Sequence, residues 1–129
     1  MIRLIPALLA LLLGAFASLG FAPVRLPGGF LFALVGLVFL LRQKSVLYRT
    51  SQSILVTAAF ACGLFGIGTW WLNAVSPAAW AALSLFNVLA FALLGWALSS
   101  TMRLTWWPIW VASLWTSFEV LRGLGPLNG

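Results

Sequence analysis

Hydrophobic residues form long runs along the chain, and short segments that carry most of the basic residues separate these runs. The runs lie at residues 4–22, 26–41, 54–72, 78–98 and 104–121. A helix needs about 20 apolar residues to cross the hydrocarbon core of a bilayer, and backbone groups in lipid must bond within their own segment. Since the runs lack the alternation of barrel strands, they predict an all-α membrane protein. We expect one transmembrane domain over residues 1–129, a bundle of about five transmembrane helices.

Two of the five runs allow a second interpretation. The run at 26–41 is short, and its length fits a tilted neighbouring helix, a re-entrant hairpin or a thin span. The first run follows Arg3 and includes Ala-Phe-Ala at 15–17, a pattern that also fits a signal peptide with a small-residue cleavage site. The apolar run continues beyond that site to Ala22, which favours an uncleaved span.

Composition excludes a water-soluble globular domain. The chain is 64% hydrophobic and 6% charged, with one acidic residue, Glu119, whereas soluble domains carry about 25% charged residues. The chain has no histidine and one cysteine, which excludes an internal disulfide and zinc or haem sites built from His or Cys clusters. No glycine-rich phosphate loop follows a strand, so no metal and no cofactor is predicted.

The basic residues predict the orientation of the helices. Alternating connections place five of them on one side of the membrane: Arg3, Arg42, Lys44, Arg49 and Arg103. Arg25 and Arg122 fall on the other side, so the positive-inside rule predicts a cytoplasmic N-terminus. The net charge of +6 is spread over loops on both sides, which indicates the phospholipid bilayer as partner and no nucleic acid.

Tryptophans agree with this orientation, because their amphipathic rings are enriched at both headgroup levels of a bilayer. Three fall near the outer interface: Trp70, Trp71 and Trp80. Three others fall near the inner interface: Trp96, Trp106 and Trp107.

Small residues at a spacing of four predict where helices approach each other closely. The first run carries Ala10, Gly14 and Ser18, and the third carries Ala59 and Gly63. The fourth run carries Asn87 near its middle. A polar side chain at that depth predicts a hydrogen bond to a neighbouring helix rather than a ligand contact.

Glu119 is the main candidate for function, because an ionisable residue beside apolar runs is a functional hypothesis by default. Arg122 follows three residues later, so both lie on one helix face. One interpretation is a structural ion pair near the interface, which contributes a few tenths of a kcal/mol if exposed. The other is a polar anchor, with Trp115, for a phospholipid headgroup, since the planar arginine fork suits phosphate.

Glu119, Lys44 and Cys62 together have the composition of a Glu-Lys-Cys catalytic triad. Catalytic partners must lie within hydrogen-bond reach, about 3 Å. The predicted topology places Lys44 and Glu119 near opposite faces of the membrane, roughly 30 Å apart. Cys62 falls inside an apolar span, where a thiol is unreactive. The sequence therefore excludes this triad, and no catalytic residue is predicted.

Three stretches resemble the bacterial apolipoprotein N-acyltransferases. Gly-Ala-Phe-Ala-Ser-Leu-Gly-Phe-Ala-Pro at 14–23 is similar to their first helix and the turn after it. Gly-Leu-Phe-Gly-Ile-Gly-Thr-Trp-Trp-Leu at 63–72 is similar to a glycine-spaced helix that ends in tryptophan. Residues 114–123, with Trp115, Glu119, Arg122 and Gly123, resemble a Trp…Glu-x-x-Arg-Gly signature. The resemblance covers the family's N-terminal membrane region.

The resemblance implies a multi-pass protein of the bacterial inner membrane and a role in lipoprotein maturation. Members of the family move an acyl chain from a phospholipid donor to the amino group of an apolipoprotein acceptor. The reaction passes through a thioester in a nitrilase-like domain, which nothing in this sequence matches. No catalytic residue of the family can therefore be carried onto this chain.

The resemblance ends at Gly123. The family continues towards Thr-Gly-Phe-Pro-Trp, whereas this chain reads Leu-Gly-Pro-Leu-Asn-Gly at 124–129. We therefore expect a truncated or partial acyltransferase that is inactive alone, although a short homologue also fits. The alternative function is a small non-enzymatic membrane protein that packs with a partner or binds lipid.

Overall fold

The chain folds into helices in a computed structural model that describes residues 4–20 and 28–124. The long helices are α1 (Leu4–Ser18), α2 (Gly29–Arg42), α4 (Thr50–Gly68), α5 (Pro77–Thr101) and α6 (Trp107–Gly123). A single turn, α3 (Lys44–Leu47), precedes α4, and a 3-10 turn at Trp70–Ala74 precedes α5. No strand occurs in the described part, which confirms the all-α prediction.

Two of these helices, α4 and α5, are long and apolar enough to cross a membrane. The helices α1 and α2 are apolar but shorter. The number of spans predicted from the sequence therefore stays a prediction beyond these two. Arg3, Arg25 and the connection predicted to carry Arg25, together with residues 125–129, lie outside the described ranges.

Local chemistry explains where the helices begin. α5 begins after Ser76, whose hydroxyl accepts a hydrogen bond from the backbone N–H of Ala79 at 3.2 Å, and Pro77 occupies its first turn. Ser and Pro are favoured at these two positions. α6 begins three residues later than the run at 104–121, because Trp106 has a left-handed backbone with φ of 65°.

The polar segment before the third apolar run is helical and buried, which hydropathy alone does not indicate. α4 begins at Thr50, four residues before the run, and includes the buried side chains of Gln52 and Ser53. The Ser53 hydroxyl donates to the carbonyl of Val46 at 3.2 Å. Because this bond satisfies the hydroxyl, the helix can extend into the polar segment.

Helices α1 and α4 pack closely and run parallel, with Gly14 and Gly63 at their crossing. A Cβ on Gly63 would overlap the Leu11 carbonyl and would lie 2.7 Å from the Ala15 nitrogen. A Cβ on Gly14 would likewise overlap the carbonyl of Phe60. The prediction that small residues at this spacing mark close helix packing is confirmed at Gly14 and Gly63. That these two helices pack against each other is a finding of the structure.

Hydrogen bonds between helix ends show in which direction each helix runs. At one end of the bundle, Arg42 of α2 donates to the Met102 carbonyl at 2.7 Å, and Arg103 donates to the Leu47 carbonyl at 2.8 Å. At the other end, the Trp80 indole donates to the Gly66 carbonyl at 3.2 Å. Neighbouring helices in sequence are therefore antiparallel, as alternating spans require. Which end faces the cytoplasm stays a prediction.

The outer surface of the bundle is apolar. Large hydrophobic side chains project outward from every long helix, among them Leu8, Phe39, Ile67, Leu93 and Ile109. Soluble monomers rarely expose contiguous apolar surface of this kind, and it marks a membrane or protein contact.

Candidate functional site

One face of α6 carries the residues that the sequence analysis singled out. Trp115, Glu119 and Arg122 are spaced by four and three residues, so they lie one above another on the helix. All three line a single cavity of about 360 Å³ together with residues of other helices: Phe30, Leu64, Phe65 and Phe91. The structure therefore brings the three candidate residues together.

Glu119 and Arg122 form an ion pair. Arg122 Nη2 donates to Glu119 Oε2 at 2.7 Å, the distance typical of a charge-assisted hydrogen bond. The side chains are 24% exposed for Arg122 and 35% exposed for Glu119. Because Glu119 remains about one-third accessible, solvent screens part of the attraction.

Asn87 of α5 connects the ion pair to a second helix. Its side chain is buried, and its amide nitrogen donates to the Leu83 carbonyl at 2.9 Å. That bond directs the amide oxygen towards Arg122, whose Nη1 donates to it at 3.4 Å. The longer bond is the weaker of the two. The interhelical hydrogen bond predicted for Asn87 is confirmed.

Aromatic rings form the wall beneath the ion pair. Phe91 is 1% exposed and packs edge to face against Phe65, Trp115 and Phe118, with centroid distances of 5.4, 5.7 and 5.2 Å. The Arg122 guanidinium lies 5.5 Å from the centroid of the Phe65 ring. A cation over an aromatic face is attracted by the ring quadrupole, so Phe65 helps to hold the guanidinium in place.

Arg122 retains one donor without a partner. Its Nε is buried and makes no hydrogen bond. Leaving a buried donor on a charged group unpaired costs free energy, about 1–3 kcal/mol or more. Strain, a functional role, or an ordered water or ion that accepts the hydrogen bond accounts for such groups in proteins.

Comparisons with known proteins identify the family. The family model of the apolipoprotein N-acyltransferase N-terminal domain matches residues 13–129. This chain belongs to the apolipoprotein N-acyltransferase family. Comparisons with curated proteins and with solved structures gave no match.

The matched acyltransferase domain includes every residue of the cavity, since the match begins at residue 13 and continues to residue 129. The resemblance noted in the sequence is thereby confirmed at the level of the N-terminal domain. The expectation that it ends at Gly123 is wrong, because the match continues to residue 129. The role of Glu119, Arg122 and Trp115 at an interface or a lipid headgroup stays a prediction.

The rejected triad is not assembled in the described residues. Cys62 is exposed on α4 and does not line the cavity. Lys44 lies in α3, at the end of the bundle where α6 begins, whereas Glu119 lies in the last two turns of α6. At about 1.5 Å per residue, Trp107 and Glu119 alone are about 18 Å apart along that helix.

Sequence reasoning missed the partners that come from other helices. Phe65 and Phe91 belong to apolar runs in which every phenylalanine looks alike. The sequence predicts an interhelical hydrogen bond for Asn87, but nothing in it identifies Arg122, 35 residues away, as the partner. A buried polar residue at the depth of a charged one is the signal that points to such a pair.

Proposed function

We propose that this chain forms the membrane-embedded part of an apolipoprotein N-acyltransferase, which transfers an acyl chain from a phospholipid to the N-terminus of a lipoprotein. In this proposal five helices cross the bacterial inner membrane and the N-terminus is cytoplasmic. Family membership over residues 13–129 supports the function. Two helices of spanning length and the apolar outer surface support the location.

The proposed task of the cavity is to hold a phospholipid headgroup. The observation that carries this proposal is Arg122, which lines an aromatic cavity and keeps a buried N–H without a partner. Arginine suits phosphate because its planar fork donates parallel bonds. The cavity volume of about 360 Å³ falls within the range of small-molecule sites, about 300–1,000 Å³.

Positioning, rather than covalent chemistry, is the role proposed for the described residues. Acyl transfer through a thioester needs a nucleophile with a base in hydrogen-bond reach. In the described part of the chain, Cys62 lies on the outer surface of α4, away from the ion pair. Glu119 holds Arg122 in the orientation in which its remaining donors meet the headgroup.

The test measures binding of a zwitterionic phospholipid with brominated acyl chains to the purified chain in detergent. Bromine quenches tryptophan fluorescence. The quenching in the wild type minus that in Trp115→Phe gives the contribution of Trp115, the tryptophan that lines the cavity. Arg122→Gln is expected to weaken binding roughly ten-fold to a hundred-fold, because a hydrogen bond to a charged group contributes about 1.5–3 kcal/mol.

The matched control is Lys44→Gln, which removes one positive charge from the opposite end of the bundle. It should leave binding at Trp115 unchanged. Equal affinity of the wild type and Arg122→Gln would contradict the headgroup site. The ion pair would then be structural, and a small protein that packs with a partner would become the better interpretation.

A further inference from the structure

A second basic surface lies at the end of the bundle opposite the ion pair. Arg42 at the end of α2 donates through Nη1 to the carbonyl of Met102 at 2.7 Å. Met102 directly precedes Arg103, whose Nε donates to the carbonyl of Leu47 at 2.8 Å. Two arginines that are distant in sequence are therefore held at one surface by backbone carbonyls near helix ends.

Aromatic rings hold the same two guanidiniums from the side. The guanidinium carbon of Arg42 lies 4.4 Å from the centroid of the Trp107 ring, and that of Arg103 lies 5.8 Å from the centroid of Tyr48. Both arginines are exposed, as is Tyr48. Each guanidinium has five N–H donors, and the carbonyl bond uses one of them. The remaining donors are available to a ligand at the surface.

No carboxylate side chain neutralises this surface. The only acidic residue of the whole sequence is Glu119, and it lies near the far end of α6. Its distance of about 18 Å along the helix from Trp107 is about twice the Debye length of roughly 8 Å at physiological salt. The charges of Arg42, of Arg103 and of Lys44, which follows Arg42 by two residues, therefore have no acidic side chain near them.

We propose that Arg42 and Arg103 form a binding site for the phosphate of an anionic phospholipid in the leaflet that this end of the bundle faces. The planar fork of each oriented arginine matches the oxygens of a phosphate. Tryptophan and tyrosine prefer the headgroup level, which sets the depth of the site at the lipid phosphates. The proposal needs membrane insertion of the chain and is independent of the role of the Glu119 cavity.

The experiment uses the full chain in nanodiscs of phosphatidylcholine that contain a small fraction of brominated lipid, either phosphatidylcholine or phosphatidylglycerol. Quenching of tryptophan fluorescence gives the preference for the anionic lipid. We expect a clear preference in the wild type. Arg42→Gln and Arg103→Gln should each lower it about ten-fold or more, the effect of losing a hydrogen bond to a charged group, which exceeds the roughly five-fold effect of diffuse attraction by one basic residue.

Lys44→Gln is the matched control, because it removes the same charge from the same end but leaves both guanidiniums in place. It should lower the preference about five-fold at most, the diffuse contribution of one basic residue. An equal loss in Lys44→Gln and in the arginine variants would overturn the proposal in favour of diffuse attraction. Arg42→Lys, which keeps the charge and loses the fork, should fall between the wild type and Arg42→Gln.

Two measurements on the wild type test binding of an anionic phospholipid even if a variant fails to fold. Equal quenching by both brominated lipids would overturn the proposal. Inorganic phosphate, compared with chloride at equal ionic strength, should leave the lipid preference unchanged. If inorganic phosphate abolished it, free phosphate would bind the site more tightly than the lipid does, and the assignment of a lipid as its preferred ligand would be wrong.

Discussion

Substitution of one glycine tests whether α1 and α4 are held together by backbone contact. A Cβ at Gly63 would overlap the Leu11 carbonyl and lie 2.7 Å from the Ala15 nitrogen. These atoms belong to the backbone of α1, so no side-chain rotation can relieve the overlap. Gly63→Ala therefore forces the helices apart. Overpacking of this kind destabilises a protein by about 1–3 kcal/mol.

Gly66 in the same helix provides the control. A Cβ there would meet nothing within 4 Å. Both substitutions gain the same helix propensity, about 1 kcal/mol for alanine over glycine, so this contribution cancels between them. Gly63→Ala should then be less stable than Gly66→Ala by about 1–3 kcal/mol. Unfolding of the purified chain in mixed micelles, followed by circular dichroism, measures the difference. Equal stability of the two variants would refute the close packing of α1 and α4.

Three further predictions concern the ion pair, the topology and the activity. In a double-mutant cycle, Glu119→Gln and Arg122→Gln together should destabilise the chain by about 1 kcal/mol less than the sum of the single variants, since the pair is only partly exposed. Thermal unfolding in detergent measures the stabilities. Additive effects would mean that the two charges are not coupled. In a Cys62→Ala background, a cysteine at Ser76 should react with a membrane-impermeant thiol reagent added outside the cell and a cysteine at Ser45 should not; the reverse pattern would invert the proposed orientation. Residues 1–129 alone should transfer no acyl group in cells depleted of the transferase, because no nucleophile and base meet in the described residues; restored lipoprotein N-acylation, or an acyl adduct on Cys62, would contradict this.

Local spacing was enough to predict part of the candidate site. Glu119 and Arg122 are three residues apart, so any helix through them brings their side chains together, and the ion pair follows. Trp115 lies on the same face for the same reason. The helical class also followed from the sequence. In lipid only helices and closed barrels satisfy all their backbone hydrogen bonds, and the runs lack the alternation of barrel strands.

Contacts between helices depend on how each helix is rotated and how deeply it packs, which the apolar runs do not encode. The pairing of Asn87 with Arg122, the ring of Phe65 under the guanidinium and the approach of Arg42 to Met102 are of this kind. Gly95, against which Thr57 packs with its Oγ1 2.8 Å from the position of a Cβ, was likewise not distinguishable from other glycines.

The sequence by itself thus determined the helical class, the family and the local pair on α6, since each depends on residues close together in the chain. Only the tertiary structure decided that this pair lines an aromatic cavity with Asn87 beside it, and that two distant arginines share one surface. The physical reason is that a uniformly apolar helix can present many faces to its neighbours. Backbone contacts at Gly14 and Gly63 and a few polar bonds select one of them.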